Sequence, residues 1–319
     1  MINFANVKEW IISEGDVIRV TDSQNRVIWE KSLDYSEPFY VENISSSSET
    51  LIIKKSTSDA PTLTIEYSTD KLNWSLLGNT STSNLSLTIN SGSKLYLRCN
   101  TDNWTNNNTG SNNTILGCSK VGGNIASLLY GSNFTGEEST FPGSTDMQFF
   151  NLFYNNTNLK DASKLILPFL TLTPYCYSEM FKFCGSLLYA PELPALTLAK
   201  RSYEQMFTNC SLLISAPKRI AATTLAESCC NAMFWNCTSL AIAPELPAQT
   251  LVLHCYNAMF QDCTSINTIK CYATNYSVSD CTYRWLINAS STGTFYCKDS
   301  TIFSRDESGI PSGWTVVEV

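Results

Sequence analysis

The feature that most constrains this chain is a repeat of 26 or 27 residues: Met180-Phe181, Met206-Phe207, Met233-Phe234 and Met259-Phe260 are each followed, three residues on, by Cys184, Cys210, Cys237 and Cys263. A fixed period in the twenties that keeps the same apolar residues at the same offsets predicts a solenoid, in which each coil covers the next one's core. Such stacks generally bind; they seldom catalyse.

The unit can be written outwards from its cysteine. Leu187, Leu213, Leu240 and Ile266 follow at three residues, Ala190, Ala216, Ala243 and Ile269 at six, and three copies then place Pro191, Pro217 and Pro244. Thr-Leu closes three of them, at Leu198, Leu225 and Leu251. A degenerate earlier copy keeps Phe153, Asn156, Leu159 and Ala162. A last one starts at Cys281 and places Phe295 and Cys297 26 residues after Ile269 and Cys271. Six coils follow. One coil buries too few apolar side chains to offset the ordering of some two dozen backbone residues, so the coils must stack and their ends need caps.

The run CYSEMFKFCGSLLYAPELPALTLAKRSYEQMFTNC, the later AMFWNCTSLAIAPELPAQTL and the closing STGTF and GIPSGWTV resemble the BspA-like leucine-rich repeats of anaerobic gut bacteria and their phages. The likeness runs from about residue 149 to the end. It implies a leucine-rich-repeat solenoid used in surface recognition, with no catalytic residues. The fourth copy departs from the pattern, since Ile269-Lys270-Cys271-Tyr272-Ala273 replaces Ala-Pro-Glu-Leu-Pro and reads as the transition to a C-terminal cap over 294–319.

Upstream of the repeat the period changes to two. Apolar runs at Leu51-Ile53, Leu63-Ile65-Tyr67, Trp74-Leu76, Leu85-Leu87-Ile89 and Leu95-Leu97-Cys99, spaced by Ser, Asn, Asp and Gly, predict an antiparallel β-sandwich over residues 35–122. The Asn- and Thr-rich tract from Asn100 to Asn113 reads as a solvated loop, and Gly122-Gly123-Asn124 as the break that ends the sandwich. Residues 125–131 offer an apolar cover for the first coil. Residues 1–34 form an opening unit in which Val17 to Thr21 and Val27 to Trp29, with Asp22 to Asn25 between, predict a β-hairpin. The segment VKEWIISEGDVIRVTDSQNRVIWEK is similar to the short N-terminal segment of fibre-like proteins in gut phages, which implies virion attachment through Trp10, Ile11, Ile18, Val20, Ile28 and Trp29. The expected fold is therefore mainly β with α/β repeats: an N-terminal β-hairpin, an antiparallel β-sandwich, then a leucine-rich-repeat solenoid with capping segments over 123–319.

Charged residues make up only 15% of the chain and its net charge is −7, which argues against a nucleic-acid groove. No stretch approaches the roughly 18 apolar residues of a membrane helix, so no membrane insertion is expected. The opening lacks the basic start and continuous apolar core of an export signal. A bacterial surface adhesin would ordinarily carry such a signal and an anchor, whereas a phage particle protein is assembled in the host cytoplasm and freed by lysis. The second reading is the expected one, with the adhesin as the alternative.

Eight of the thirteen cysteines fall in two columns of the repeat, Cys184, Cys210, Cys237, Cys263 and, eight residues earlier, Cys176, Cys229 and Cys255 with Ser202 in the second copy, continued by Cys281. Side chains in one column of a parallel stack point the same way, a poor geometry for bridging, so reduced core thiols are expected. The C-x7-C spacing is not a zinc knuckle. The single histidine, His254, has no chemistry at equivalent positions of other copies, and the adjacent Glu137 and Glu138 do not make a facing acid–base pair. No catalytic residue, metal or cofactor is expected. The Asn-x-Ser/Thr sequons at Asn73, Asn79, Asn84, Asn103, Asn133, Asn209 and Asn236 are what an Asn-, Ser- and Thr-rich surface produces by chance.

The site hypothesis concerns offsets that vary between copies. The Tyr position, the two residues after it (Ser178-Glu179, Glu204-Gln205, Asn231-Ala232, Asn257-Ala258) and the two before each cysteine (Lys182-Phe183, Thr208-Asn209, Trp235-Asn236, Gln261-Asp262) could tile a recognition face. Its expected members are Tyr177, Tyr203, Trp235, Tyr256 and Gln261, facing a host glycan or protein. The expected protein is a homo-oligomeric virion surface or fibre component.

Overall fold

The computed structural model describes residues 34–319 except 82, 100, 102–103, 106–109, 144–145 and 277–279, together with the backbone of three earlier strands. Two compact units divide the chain at Asp34 and Tyr35. The first is a three-stranded antiparallel sheet, β1 (Val7–Ser13), β2 (Asp16–Asp22) and β3 (Val27–Glu30), in that order. The hairpin read from the sequence is its second half, with Val20 opposite Trp29. β1 is an additional strand, placing Trp10 opposite Val20 and Ile11 opposite Arg19. The side chains of Trp10, Ile11, Ile18, Val20, Ile28 and Trp29 lie outside the described residues.

The second unit is mainly β with several open sheets. It contains β4 (Tyr40–Glu42), β5 (Glu49–Lys55), β6 (Thr64–Ser68), β7 (Ser75–Asn79), β8 (Leu85–Ile89), β9 (Lys94–Cys99), β10 (Asn113–Leu116), β11 (Lys120–Asn124), the one-turn helix α1 (Ser127–Tyr130) and β12 (Asp161–Ile166). Two sheets form from these, β12-β11-β4-β9-β6-β7 and β10-β5-β8. The period-two reading places their core: Leu51, Ile53, Leu63, Ile65, Leu97 and Ile115 are buried, while Leu76 is 66% exposed.

Two expectations fail between residues 100 and 124. The Asn-rich tract is not a solvated loop throughout. Trp104 is fully buried, its indole N–H donating to the Asn113 carbonyl at 2.9 Å, and Asn113 opens β10, which pairs with β5. A large aromatic side chain outweighs the polarity of its neighbours. Gly122-Gly123 does not break the sheet either. Both lie within β11, where a Cβ at Gly122 would sit 2.3 Å from the Tyr40 ring and one at Gly123 2.1 Å from the Pro38 carbonyl oxygen. Glycine here permits close approach rather than chain reversal.

β11 pairs antiparallel with β4 and parallel with β12, so the boundary drawn at 122 falls inside a strand of a shared sheet. From β12 the parallel pairing passes onwards, Asp161 bridging Tyr189 and Tyr189 bridging Ser215. The repeats thus grow from the edge of the six-stranded sheet, and the Phe39 and Phe153 rings, 6.1 Å apart, lie in one continuous core. That edge covers the first copy, with Ile125, Leu128 and Leu129 buried beside it.

Successive copies lie over one another in register. Phe153, Phe181, Phe207, Phe234 and Phe260 are fully buried and form a column with centroids 5.2, 5.3, 5.2 and 5.5 Å apart. The thiols form a second column, Cys184, Cys210, Cys237 and Cys263 donating to the carbonyls of Phe153, Phe181, Phe207 and Phe234 at 2.9–3.1 Å. All thirteen cysteines are buried and unbridged. The last copies are held by β13 (Thr250–Leu251), β14 (Thr268–Cys271), β15 (Asn275–Tyr276), β16 (Gly293–Cys297) and β17 (Trp314–Glu318). β14 and β16 pair with Ile269 opposite Phe295 and Cys271 opposite Cys297, the 26-residue register of the sequence.

The α/β expectation for the copies is corrected. With 28% strand against 4% helix, no α-helix lies in the described part of the repeats. The Met-Phe segment is instead a string of turns. Met180, Lys182 and Cys184 N–H groups donate to Tyr177, Glu179 and Phe181 carbonyls, while the intervening Glu179, Phe181 and Phe183 donate to Glu204, Met206 and Thr208 of the next copy at 2.9 Å each. A helix would have spent these N–H groups within its own copy and left none for the neighbour. The arrangement requires left-handed backbone every fourth residue, at Arg201, Gln205 and Asn209, then Ser228, Ala232 and Asn236, then His254, Ala258 and Asp262, with φ between 50° and 62°.

Candidate functional site

The position before each repeat cysteine is one of these left-handed positions: Phe183, Asn209, Asn236 and Asp262, with Asn155 and Asn288 at equivalent places in the flanking copies. Asn and Asp tolerate this conformation best among residues that carry a Cβ, which explains their recurrence here. The side chains of Asn209, Asn236, Asp262 and Asn288 form two hydrogen-bonded pairs along this row. The Asn236 amide donates to Asn209 Oδ1 at 2.7 Å, and Asn288 donates to Asp262 Oδ1 at 2.6 Å. Trp235 lies in this row with 39% of its surface exposed, and its indole N–H donates to Asp262 Oδ2 at 2.7 Å.

Asp262 is the hub. Partial desolvation by itself would raise its carboxyl pKa, but hydrogen bonds from Asn288, Trp235 and Gln261 and the nearby Arg284 charge hold it below the usual carboxylate range. The carboxylate stays ionised at neutral pH and fixes the Trp235 ring. At the other end of the row Phe183 is 39% exposed, packs edge-on against Tyr154 at 5.5 Å, and has the Lys182 ammonium 5.7 Å from its ring centre. Lys182 is paired with Glu179 at 3.0 Å.

The residues of the expected recognition face differ in exposure. Trp235 is exposed and Gln261 half-buried, both in the row. Tyr177, Tyr203 and Tyr256 are buried, at 1% exposure or less, and cannot meet a ligand; this is a correction. Tyr177 and Tyr203 form an interior column with Phe149, at centroid spacings of 6.1 and 6.3 Å. Their bulk belongs to the core because the turns fold that offset inwards. The three tyrosine hydroxyls find no hydrogen-bond partner among the described residues. Of the variable offsets, Ser178, Glu204 and Ala232 are also buried. Asn209, Asn236 and Asp262 stood among the variable offsets of the sequence, but Asn288 did not, and the hydrogen bonds that join these four side chains in pairs were not foreseen. The signal was the Asn or Asp directly preceding Cys210, Cys237 and Cys263, which marks a left-handed backbone position.

Chemically, the row offers an immobilised indole face flanked by amides and a carboxylate, a set that can stack on the apolar face of a sugar and bond its hydroxyls. Another exposed stripe, Tyr189, Ile214 and Ile242 at 41%, 54% and 63%, lies along the bridging positions near Asp161 and Thr268, without a polar network to fix it. His254 sits at a left-handed position with φ 53°, and the Glu138 carboxylate accepts from the Thr135 and Gly136 N–H groups, a loop-bracing role. Burial pushes the Cys118, Cys263 and Cys271 thiols up to about 12, which removes the thiolate that nucleophilic catalysis or metal binding requires. Among the described residues no cluster of His, Cys, Asp and Glu could hold a metal ion, and no helix is long and apolar enough to cross a membrane. Comparison of the chain with family models, with curated proteins and with solved structures finds no match.

Proposed function

We propose that this chain is a non-enzymatic display protein of a phage particle, held to the virion by residues 1–34 and presenting a leucine-rich-repeat solenoid for adhesion to a host surface glycan or protein. On this reading the two sheets of residues 35–122 act as a β-sandwich support, and the repeats from 123 onwards wind as one rod whose free edge carries the recognition row. The N-terminal strands containing Trp10, Ile11, Ile18, Val20, Ile28 and Trp29 engage capsid or tail proteins, and copies associate on a symmetric particle. Nucleic acid and membrane insertion play no part.

The observation that carries the reading is the Trp235 indole, exposed yet locked by its 2.7 Å bond to Asp262. A preformed aromatic surface loses little entropy on binding. The repeat words that resemble BspA-like proteins and the −7 charge support the same assignment. The test is adsorption of the full chain to host cells and to immobilised surface glycans. Trp235→Ala is expected to weaken it at least tenfold, and unchanged adsorption would remove the row from consideration. Mass spectrometry of purified particles against host membrane fractions tests the virion assignment, which fails if the protein is found only in host membranes.

A further inference from the structure

A cleft of about 330 Å³ lies away from the repeats, lined among others by Lys71, Trp74, Arg98, Ser132 and Phe134. Its walls are set before any ligand arrives. The Asp70 carboxylate accepts from the backbone N–H groups of Leu72 and Asn73 at 2.9 and 2.8 Å, from the Asn73 amide at 2.7 Å and from the Ser68 hydroxyl at 2.9 Å. This closes the loop between β6 and β7. The Trp74 indole then donates to the Lys71 carbonyl at 3.1 Å. On the opposite wall Phe134 precedes Thr135, whose N–H and hydroxyl both donate to Glu138.

Two cations meet in this cleft in a chain of net charge −7. The Arg98 guanidinium stacks 4.2 Å from the Trp74 ring centre and uses its Nε to donate to Glu66 at 2.6 Å. Its terminal N–H groups have no partner among the described residues. Lys71 is exposed, with its ammonium 5.5 Å from the Tyr96 ring and no carboxylate within ion-pair distance among the described residues. Of the neighbouring carboxylates, Glu66 takes only the Arg98 Nε, Asp70 is engaged within its own loop, and Glu37 is bonded to the Tyr96 hydroxyl. A guanidinium fork beside an ammonium suits an oxyanion. The cleft is larger than a bare inorganic anion needs, and its remaining lining, the Ser132 hydroxyl and the Phe134 and Trp74 rings, suits a hydroxyl-rich ring with an apolar face.

We propose that this cleft is a second binding site, independent of the Trp235 row, for an acidic sugar whose ring carboxylate is taken by Arg98 and Lys71. Calorimetric titration of the full chain with D-glucuronate, D-glucose and inorganic phosphate tests it. Glucuronate should bind at least tenfold more tightly than either of the other two. Lys71→Gln and Arg98→Gln should each weaken glucuronate binding at least tenfold, with Trp235→Ala leaving it unchanged. Lys71 is a surface loop residue, so the result stands on Lys71→Gln if circular dichroism shows that Arg98→Gln, which strands Glu66, has lost its fold. Glucose binding equal to glucuronate, phosphate binding as tight as glucuronate, no glucuronate binding at millimolar concentration, or binding unaffected by Lys71→Gln would each overturn the proposal. Loss of host adsorption in Trp235→Ala with glucuronate binding intact separates this site from the recognition row.

Discussion

The sheets of residues 40–116 are built of strands and the repeats beyond residue 146 mostly of turns and isolated bridges, and the two are held together differently. In the sheets, strands of three to seven residues pair along their length, and alternate side chains enter the core. In the repeats between β12 and β13 the copies meet by single bridges and by turn N–H groups shared across copies, and identical side chains stack in columns. The difference teaches that a repeated sequence can replace long strands with backbone hydrogen bonds renewed at every copy: the Arg201, Tyr203, Gln205, Phe207 and Asn209 N–H groups all donate to the next copy. Phe stacked on Phe and thiols on Phe carbonyls add identical side-chain contacts to that pairing.

The largest test of that comparison removes a rung. Phe207→Ala should cost about 3–5 kcal/mol in urea denaturation, since the ring is enclosed by two like rings that cannot close the gap. Leu87→Ala in β8, only partly buried, should cost well under half of that. Equal effects would mean that the columns are not what holds the copies together.

Backbone sign gives the next contrast. At Asn236, with φ 59°, Asn236→Gly should be better tolerated than Asn236→Ala by about 1 kcal/mol. In a strand the order reverses, so comparison with Thr88→Gly and Thr88→Ala in β8 sharpens the point. If Ala is the better replacement at both positions, the left-handed turns are not part of the fold.

Tyr203→Phe should be neutral or stabilising by up to about 1 kcal/mol, because the buried hydroxyl that it removes has no partner among the described residues. Thermal denaturation showing a loss above about 1 kcal/mol would mean that this hydroxyl is bonded after all.

The smallest effect is the pH response of the Asn and Asp row beside Trp235. Folding lowers the Asp262 pKa, so its contribution is present above the unfolded carboxylate value near ~4 and is lost as pH falls through the folded value below it. Fluorescence of Trp235, read as the difference between the parent and Trp235→Phe, should therefore change only below about pH 4. Asp262→Asn should abolish that change; a transition that survives it would place the titrating group elsewhere.

Much of this arrangement was legible in the residues. The Phe column, the buried cysteines, the 26-residue register of Phe295 on Ile269 and the strands around Leu51, Ile65, Leu85 and Leu97 all follow from spacing, because equivalent positions in stacked copies share one environment. Trp104, the Gly122-Gly123 strand and the tyrosines were misread for one shared reason. Local polarity and period report what kind of residue stands at a position, while burial depends on what the rest of the chain brings against it. Within the candidate site Trp235, Gln261 and Asp262 stood among the variable offsets, but the Asp262 bond that fixes the indole needed the next copy to be laid alongside.

The amino-acid sequence by itself determined which side chains recur and therefore which ones meet, since a constant period makes every copy the neighbour of its own kind. Which way each offset points was decided only in the tertiary structure. A left-handed residue every fourth position turns the Tyr offset inwards and leaves the Asn and Asp offsets on the edge, and those backbone signs are sustained by hydrogen bonds to the next copy that a single copy cannot make.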